Sequence, residues 1–227
     1  MKTLNEEIKE NLVREGASIV GFADLSEFPF EVRDGFKYGI SIAVRLNPEI
    51  VMMIGKGPSI EYDNEYHRTN NLLNQLAGRG AEILKAKGFD ALAKTQSVVK
   101  QDEKTKRTKL PHKSVATKAG PGWIGKCALL VTEKYGAAIR ITSVLTNAEL
   151  DTGTPIIDSR CGKCEGCKKI CPAGAVSGKQ WKAGMNRDDF LKPWIVTRKF
   201  MRGVKVLDLL KGLAACVSGY VPGRKGI

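Results

Sequence analysis

The sequence predicts an α+β protein in which a body of mixed helices and strands, residues 1–155, precedes a small cysteine-rich module, residues 156–227. Two observations support this fold class. In the body, short apolar strands and amphipathic helices follow one another in mixed order, which favours an α+β sandwich over a doubly wound sheet. In the module, four of the six cysteines fall within one short run, and a basic, glycine-rich tail follows.

Three helices are predicted in the body and one in the module. Apolar residues at helical spacing predict a helix over residues 4–15 that ends at Gly16. A long helix is expected over 60–87, because Ser59 is a good N-cap and Gly88 a good stop. The remaining predicted helices cover residues 111–119 and 204–215.

Apolar runs predict five strands, and the glycine-rich and charged stretches between them predict loops. The strands are expected at residues 18–22, 38–44, 93–99, 128–132 and 137–145. The last two are expected to pair as a hairpin through Tyr135 and Gly136. Residues 52–58 and 100–109 are expected to be loops.

Length, charge and terminal pattern limit the classes of function. The chain has 227 residues and a net charge of +13, most of it after Arg160, where about fifteen lysines and arginines face four acidic residues. Such an imbalance is typical of proteins that bind nucleic acid, an anionic cofactor or an acidic redox partner. The charged N-terminus is unlike a signal peptide and no apolar run is long enough to span a bilayer, so a cytoplasmic location is expected.

The cysteine run carries the most specific chemistry in the sequence. Cys161, Cys164, Cys167 and Cys171 have the spacing C-x2-C-x2-C-x3-C and are followed by Pro172. This is the bacterial ferredoxin pattern for a [4Fe–4S] cluster. The alternatives are a structural zinc site, which usually takes two separated cysteine pairs, and two disulfides, which need a secretory context.

A second motif contains three glycines and a tryptophan. Gly120, Gly122 and Gly125 match G-x-G-x-x-G, but a helix is predicted before them and a strand after them. A dinucleotide-binding motif needs the reverse order, so this interpretation is rejected. The glycines instead suggest close approach of the backbone to a bulky group, with Trp123 as an apolar wall.

Together these motifs resemble the epoxyqueuosine reductase family, which is itself similar to the reductive dehalogenases. The resemblance rests on Ala119-Gly-Pro-Gly-Trp-Ile-Gly-Lys126, the following Leu-Leu-Val-Thr strand, the Val144-Leu-Thr strand end and the cysteine run. It implies a nitroreductase-like α/β sandwich that carries cobalamin, and a ferredoxin-like module that holds [4Fe–4S] clusters. The family's acidic proton donor has no counterpart in the segment 107–111.

The resemblance also implies the site residues. Those expected against a large planar cofactor are Gly120, Gly122, Trp123, Ile124, Gly125 and Lys126. A second cluster would need another cysteine run near the C-terminus, where Cys216 stands alone. One cluster is therefore expected on Cys161, Cys164 and Cys167, with Cys216 slightly preferred over Cys171 as the fourth ligand, and a second cluster is left open.

The function predicted from this resemblance is that of an iron–sulfur oxidoreductase. Electrons would pass from the [4Fe–4S] cluster to a corrinoid or a small-molecule substrate in the N-terminal domain. The expected electron donor is an acidic protein such as a flavodoxin or ferredoxin. Two alternatives stay open: a plain electron-transfer or partner-binding protein with a vestigial cofactor cleft, and a tRNA-associated modification protein.

Overall fold

The computed structural model describes residues 2–53, 59–105, 107–171 and 173–195. The predicted helix at 204–215, Pro172, Cys216 and the basic tail lie outside them. The helices are α1 (Leu4–Arg14), α2 (Pro48–Met53), α3 (Ile60–Ala86), α4 (His112–Ala119) and α5 (Gly166–Ile170). The strands are β1 (Ile19–Asp24), β2 (Tyr38–Arg45), β3 (Ala91–Ala93), β4 (Gly122–Ile124), β5 (Leu130–Thr132) and β6 (Ile139–Thr146).

The chain divides into two compact units, each assembled from separated segments. Unit 1 comprises Met1–Arg45, Arg68–Pro121 and Arg140–Ile156. Unit 2 comprises Leu46–His67, Gly122–Ile139 and Ile157–Ile227. The domain bounds expected from the sequence, 1–155 and 156–227, remain a prediction.

Unit 1 is built on a four-stranded sheet with the strand order β1-β2-β6-β3. β1 and β2 are antiparallel, with Ile19 opposite Ala43, and β3 and β6 are antiparallel, with Ala91 opposite Thr146. β2 is buried from Tyr38 to Val44. A continuous apolar run is what a strand covered on both faces needs, which is why β2 could be predicted from its sequence.

Helices α1 and α3 cover this sheet with their apolar faces. A capping box starts α1: the Thr3 side chain accepts from the Glu6 amide, and the Glu6 carboxylate accepts from the Thr3 amide. Ile8 and Leu12 of α1 join α3 and the strands in one apolar core. The core residues of α3 are Leu73, Leu76, Ala77, Ala81, Ile83 and Leu84.

The predicted hairpin between residues 128–132 and 137–145 is wrong. β5 pairs with β4 in a separate two-stranded sheet, with Trp123 opposite Val131, while β6 lies between β2 and β3 in the larger sheet. A single bridge, Thr132 to Gly136, is what remains of the expected hairpin. The sequence concealed this because β4 consists of the glycine–tryptophan motif, which resembles a turn.

Two further boundaries differ from the prediction. The strand expected at 93–99 ends at Ala93, because the chain turns at Thr95, whose carbonyl accepts from the amides of Val98 and Val99. The loop expected at 52–58 begins inside α2. Asn47 caps α2 by accepting from the Glu49 amide at 2.9 Å.

Candidate metal centre

The cysteine segment, residues 161–171, consists of a tight turn followed by the short helix α5. The Cys164 amide donates to the Cys161 carbonyl at 3.1 Å, and Gly162 adopts φ +54° inside this turn. Cys167 lies in α5 and Cys171 ends it. Cys164 is exposed, and the other three cysteines of the segment are half-buried.

The described cysteines form neither disulfides nor a group of metal ligands. None of the five described cysteines is joined in a disulfide. Nowhere in ranges 2–53, 59–105, 107–171 and 173–195 do three His, Cys, Asp or Glu side chains lie close enough to hold a metal ion. The donor chemistry, four thiols at ferredoxin spacing, fits a [4Fe–4S] cluster. Because the described residues show no assembled group of ligands, the ligand set remains a prediction. Its fifth candidate, Cys216, lies outside the described residues.

Backbone contacts anchor the cysteine segment to its surroundings in unit 2. Just before it, the Ser159 amide donates to the Trp181 carbonyl at 2.8 Å. Inside it, the Gly162 amide donates to Oε1 of Gln180 at 3.0 Å. At its end, the Ala175 amide donates to Sγ of Cys171 at 3.4 Å. Hydrogen bonds of this kind to cysteine sulfur are among the features that tune the potential of a cluster.

Lys126 makes the strongest link between the two sequence motifs. Its side chain is 5% exposed, and Nζ donates to the carbonyls of Gly162 at 2.9 Å and Cys164 at 2.8 Å. A buried ammonium is costly unless it is hydrogen-bonded, so these two carbonyls are what allows the lysine to be buried. The end of the glycine–tryptophan motif thus holds the turn between the first two cysteines.

The glycines of this motif make their close approaches to other atoms of the chain itself. A Cβ on Gly122 would lie 2.2 Å from the carbonyl oxygen of Val131, its neighbour across the β4–β5 ladder. In unit 1, Gly120 ends α4 with φ +87°, and a Cβ there would lie 2.7 Å from the Thr154 carbonyl oxygen. A Cβ on Gly125 would lie 2.9 Å from Cγ2 of Val131. Chain packing therefore accounts for each of these glycines.

Trp123 and Ile124 are also part of the packing of unit 2. Trp123 is 2% exposed, and the Arg160 guanidinium lies 5.8 Å from its ring centroid. Arg160 is in turn paired with Glu133. Ile124 is buried as well. The expected apolar wall is thus covered by residues of the same unit, and the assignment of residues 120–126 to a cofactor remains a prediction.

Sequence reasoning missed a group of charged residues in unit 1. Lys94 is 8% exposed, and its Nζ lies 2.8 Å from Oδ2 of Asp34. Nδ1 of His112 lies 2.8 Å from the Ser143 hydroxyl. Burial, with the positive charges of Lys94 and Arg140, lowers the pKa of His112 to about 4. The sequence offers one signal, the position of Lys94 directly after the apolar run of β3. Nothing in the local sequence connects Lys94 to Asp34 or His112.

Asp34 partly balances this positive charge. Its carboxylate also pairs with Lys109, at 2.6 Å. Burial alone would raise the pKa of Asp34, but the hydrogen bonds and charges of Lys109 and Lys94 outweigh it and lower the pKa. Asp34 is therefore charged at neutral pH.

Comparison with known proteins identifies a group of similar enzymes. No protein-family model matches the chain. Epoxyqueuosine reductase from Listeria monocytogenes is 41% identical over 66 residues, which is 29% of this chain and 17% of the relative. The chain is similar to the epoxyqueuosine reductases. The enzyme of Bacillus subtilis is 30% identical over 115 residues, covering 51% of this chain and 27% of the relative.

These matches confirm the resemblance inferred from the motifs, over a limited part of each relative. The chain spans less than a third of the length of the curated relatives that it matches.

Solved structures show the same fold at low identity. Epoxyqueuosine reductase from Streptococcus thermophilus superposes with a TM-score of 0.61 at 18% identity, covering 100% of this chain and 69% of the other. A catabolic reductive dehalogenase reaches 0.64 at 18% identity, covering 78% of this chain and 27% of the other. A complex of epoxyqueuosine reductase with a modified tRNA stem loop reaches 0.55 at 19% identity, covering 76% and 52%.

No helix of the described ranges combines the length and the apolar character needed to cross a bilayer.

Proposed function

We propose that this chain is an iron–sulfur redox protein similar to epoxyqueuosine reductase, in which the cysteine segment holds a [4Fe–4S] cluster. The proposal includes a nitroreductase-like body and a ferredoxin-like cysteine module, for which the similarity to solved structures is the support. When bound, such a cluster accepts and passes on single electrons. The ligands would be Cys161, Cys164 and Cys167, completed by Cys171 or Cys216.

The observation that carries the proposal is the contact of Lys126 with the cysteine segment. A buried lysine that donates to the carbonyls of both Gly162 and Cys164 fixes the turn on which two of the proposed ligands stand. Its positive charge also lies next to that turn. A cation at this place favours the more negative, reduced form of a cluster and would raise its potential.

The electron acceptor would be a corrinoid or a small substrate in the N-terminal domain. Similarity to a solved reductive dehalogenase for which a B12-dependent dehalogenation is described supports the corrinoid. Packing of the chain itself already accounts for the glycines expected to cradle it, because a Cβ on Gly122 or Gly120 would meet the chain's own carbonyls. The second form of the proposal is an electron carrier that passes electrons to a partner protein.

The electron donor would be an acidic protein of the flavodoxin or ferredoxin type. Lys163, Lys168 and Lys169 are exposed on the cysteine segment, and Glu165 is paired with Lys168 at 3.3 Å. The segment therefore presents an excess of positive charge, which would steer an acidic donor toward the cluster.

A role on tRNA is the second candidate. It is supported by the net charge of +13 and by the solved complex of a similar protein with a tRNA stem loop. Binding of tRNA that weakens steeply with added salt, and that competes with an acidic donor protein, would favour this role.

Metal analysis of anaerobically purified protein tests the main proposal. We expect about four iron and four sulfide per chain, and a brown colour that is lost in Cys164→Ala. Because Cys164 is exposed, this substitution removes a ligand with little effect on packing. Cys127→Ala, outside the cysteine segment, should keep the iron. Stoichiometric zinc without sulfide would contradict the proposal, and a corrin absorption spectrum of the extract would establish the acceptor.

A further inference from the structure

A polar cleft of about 470 Å³ lies in unit 1, and all of its walls come from that unit. Its volume is in the range of sites for small organic ligands. The charged and polar lining residues on which the argument depends are Asn70, Lys94, Gln96, His112, Arg140 and Thr142. They come from α3, from the segment after β3, from α4 and from β6.

The cleft is positively charged. Lys94 and Arg140 both line it, and no Asp or Glu is among the lining residues in the part of the chain that the structure describes. The charges of both cations act on His112, because together with burial they lower its pKa. Lys94 is paired with Asp34 at 2.8 Å and lines, together with Asp34, a neighbouring cavity of about 330 Å³, so the main positive charge of the cleft comes from Arg140.

Hydrogen bonds hold the charged groups in place before any ligand arrives. Nε and Nη2 of Arg140 both donate to Oδ1 of Asn70, at 3.1 and 2.8 Å. Asn70 is itself 4% exposed, so the guanidinium is fixed against a buried residue. The Thr142 hydroxyl donates to the Lys94 carbonyl at 3.1 Å, which fixes the backbone of that lysine. Donors arranged in advance lose little entropy on binding an anion.

An apolar wall completes the cleft. Leu73, Val99 and Ile141 line it together with the polar residues. Inorganic ions need no such wall, whereas an organic molecule with a charged head and an apolar body does.

We propose that this cleft binds a small organic oxyanion. Arg140 binds its carboxylate or phosphate group beside the Lys94–Asp34 pair, and Leu73, Val99 and Ile141 contact its apolar body. A guanidinium is suited to both kinds of head group, because it donates charge-assisted hydrogen bonds to carboxylate and phosphate oxygens alike. The residues of this site belong to unit 1 and the cysteine segment to unit 2, and the proposal does not depend on the proposed cluster.

Calorimetric titration of the full-length protein at constant ionic strength tests the site with three probes. These are inorganic phosphate, hexanoate and the uncharged hexanamide. We expect saturable binding of at least one anion, and binding of hexanamide about tenfold weaker than that of hexanoate if the ligand is a carboxylate. Binding of phosphate alone assigns a phosphate ester. Failure of both anions to bind, or saturable binding of hexanamide as tight as that of hexanoate, would overturn the proposal.

Two variants with matched controls locate the binding. Gln96→Glu adds a negative charge at an exposed side chain of the cleft, and Gln75→Glu adds the same charge on α3 away from the cleft. We expect about tenfold weaker anion binding in the first and no change in the second. Equal effects of the two substitutions would mean general charge attraction to a basic protein and would refute the site.

Arg140→Gln tests the proposed head-group contact directly. It should weaken anion binding by about tenfold or more, whereas Arg79→Gln, which removes an arginine paired with Glu15, should not. A thermal melt of each variant reports whether it is folded. If Arg140→Gln does not fold, the comparison of Gln96→Glu with Gln75→Glu still decides the question.

Discussion

Replacement of Lys126 by Met tests how the cysteine segment is held. Methionine has a similar length and no charge, so it can occupy the buried position but cannot donate to the carbonyls of Gly162 and Cys164. A hydrogen bond from a charged group is worth about 1.5 to 3 kcal/mol. Because Gly162 and Cys164 are exposed, water replaces much of what their carbonyls lose. We therefore expect the free energy of local opening to fall by about 1 to 2 kcal/mol.

Hydrogen exchange of the anaerobic apoprotein measures this change. The Cys164 amide, which donates to the Cys161 carbonyl, should exchange about 5 to 30 times faster in Lys126→Met. The matched control is Lys163→Met, which removes an exposed lysine from the same turn. Equal exchange in the two variants would refute the reasoning, because the loss would then depend on charge near the turn and not on the buried hydrogen bonds.

Three other predictions follow from the structure. Gly122→Ala should destabilise the protein by about 3 kcal/mol or more in urea unfolding, because its Cβ would overlap the Val131 carbonyl. The control Gly78→Ala, where a Cβ meets nothing within 4 Å, should be neutral or stabilising, and equal costs of the two substitutions would contradict the packing argument. His112→Gln should reduce the loss of stability on acidification, because the unfolded chain takes up a proton near pH 6.5 that folded His112 accepts only at about pH 4. Between pH 7 and 4.5 the wild type should lose about 2 to 3 kcal/mol more of its free energy of unfolding than the variant, and parallel pH profiles would contradict this. Charge reversal of Lys168 and Lys169 to Glu should slow reduction by a flavodoxin-like donor at low salt, as measured by stopped flow. Reversal of the exposed Lys9 and Lys85 in unit 1 should not, and equal rates in the two double variants would show that the cysteine segment does not steer the donor.

Local patterns were sufficient to predict most helices and the central strands. α1, α3 and α4 begin and end within about two residues of their predicted bounds, because capping residues and apolar spacing act over a single turn. β2 was predicted from its continuous apolar run. β4 was not predicted, because Gly122-Trp-Ile124 is short and begins with a residue typical of turns.

The sequence by itself determined the cysteine spacing, the basic charge and the resemblance to epoxyqueuosine reductases, which the comparisons confirm. Each of these is a property of neighbouring residues or of composition, so no contact between distant segments is needed to recognise it.

Only the tertiary structure decided which strand pairs with β5, why Gly122 must lack a side chain, and which residues Lys126 holds. The Val131 carbonyl that excludes a Cβ from Gly122, and the carbonyls 36 and 38 residues away that accept from Lys126, are backbone groups without a sequence signature. The charged cleft has the same origin: Asn70, Lys94, His112 and Arg140 come from four separate segments. Folding alone brings them together, and only then do their charges act on one another.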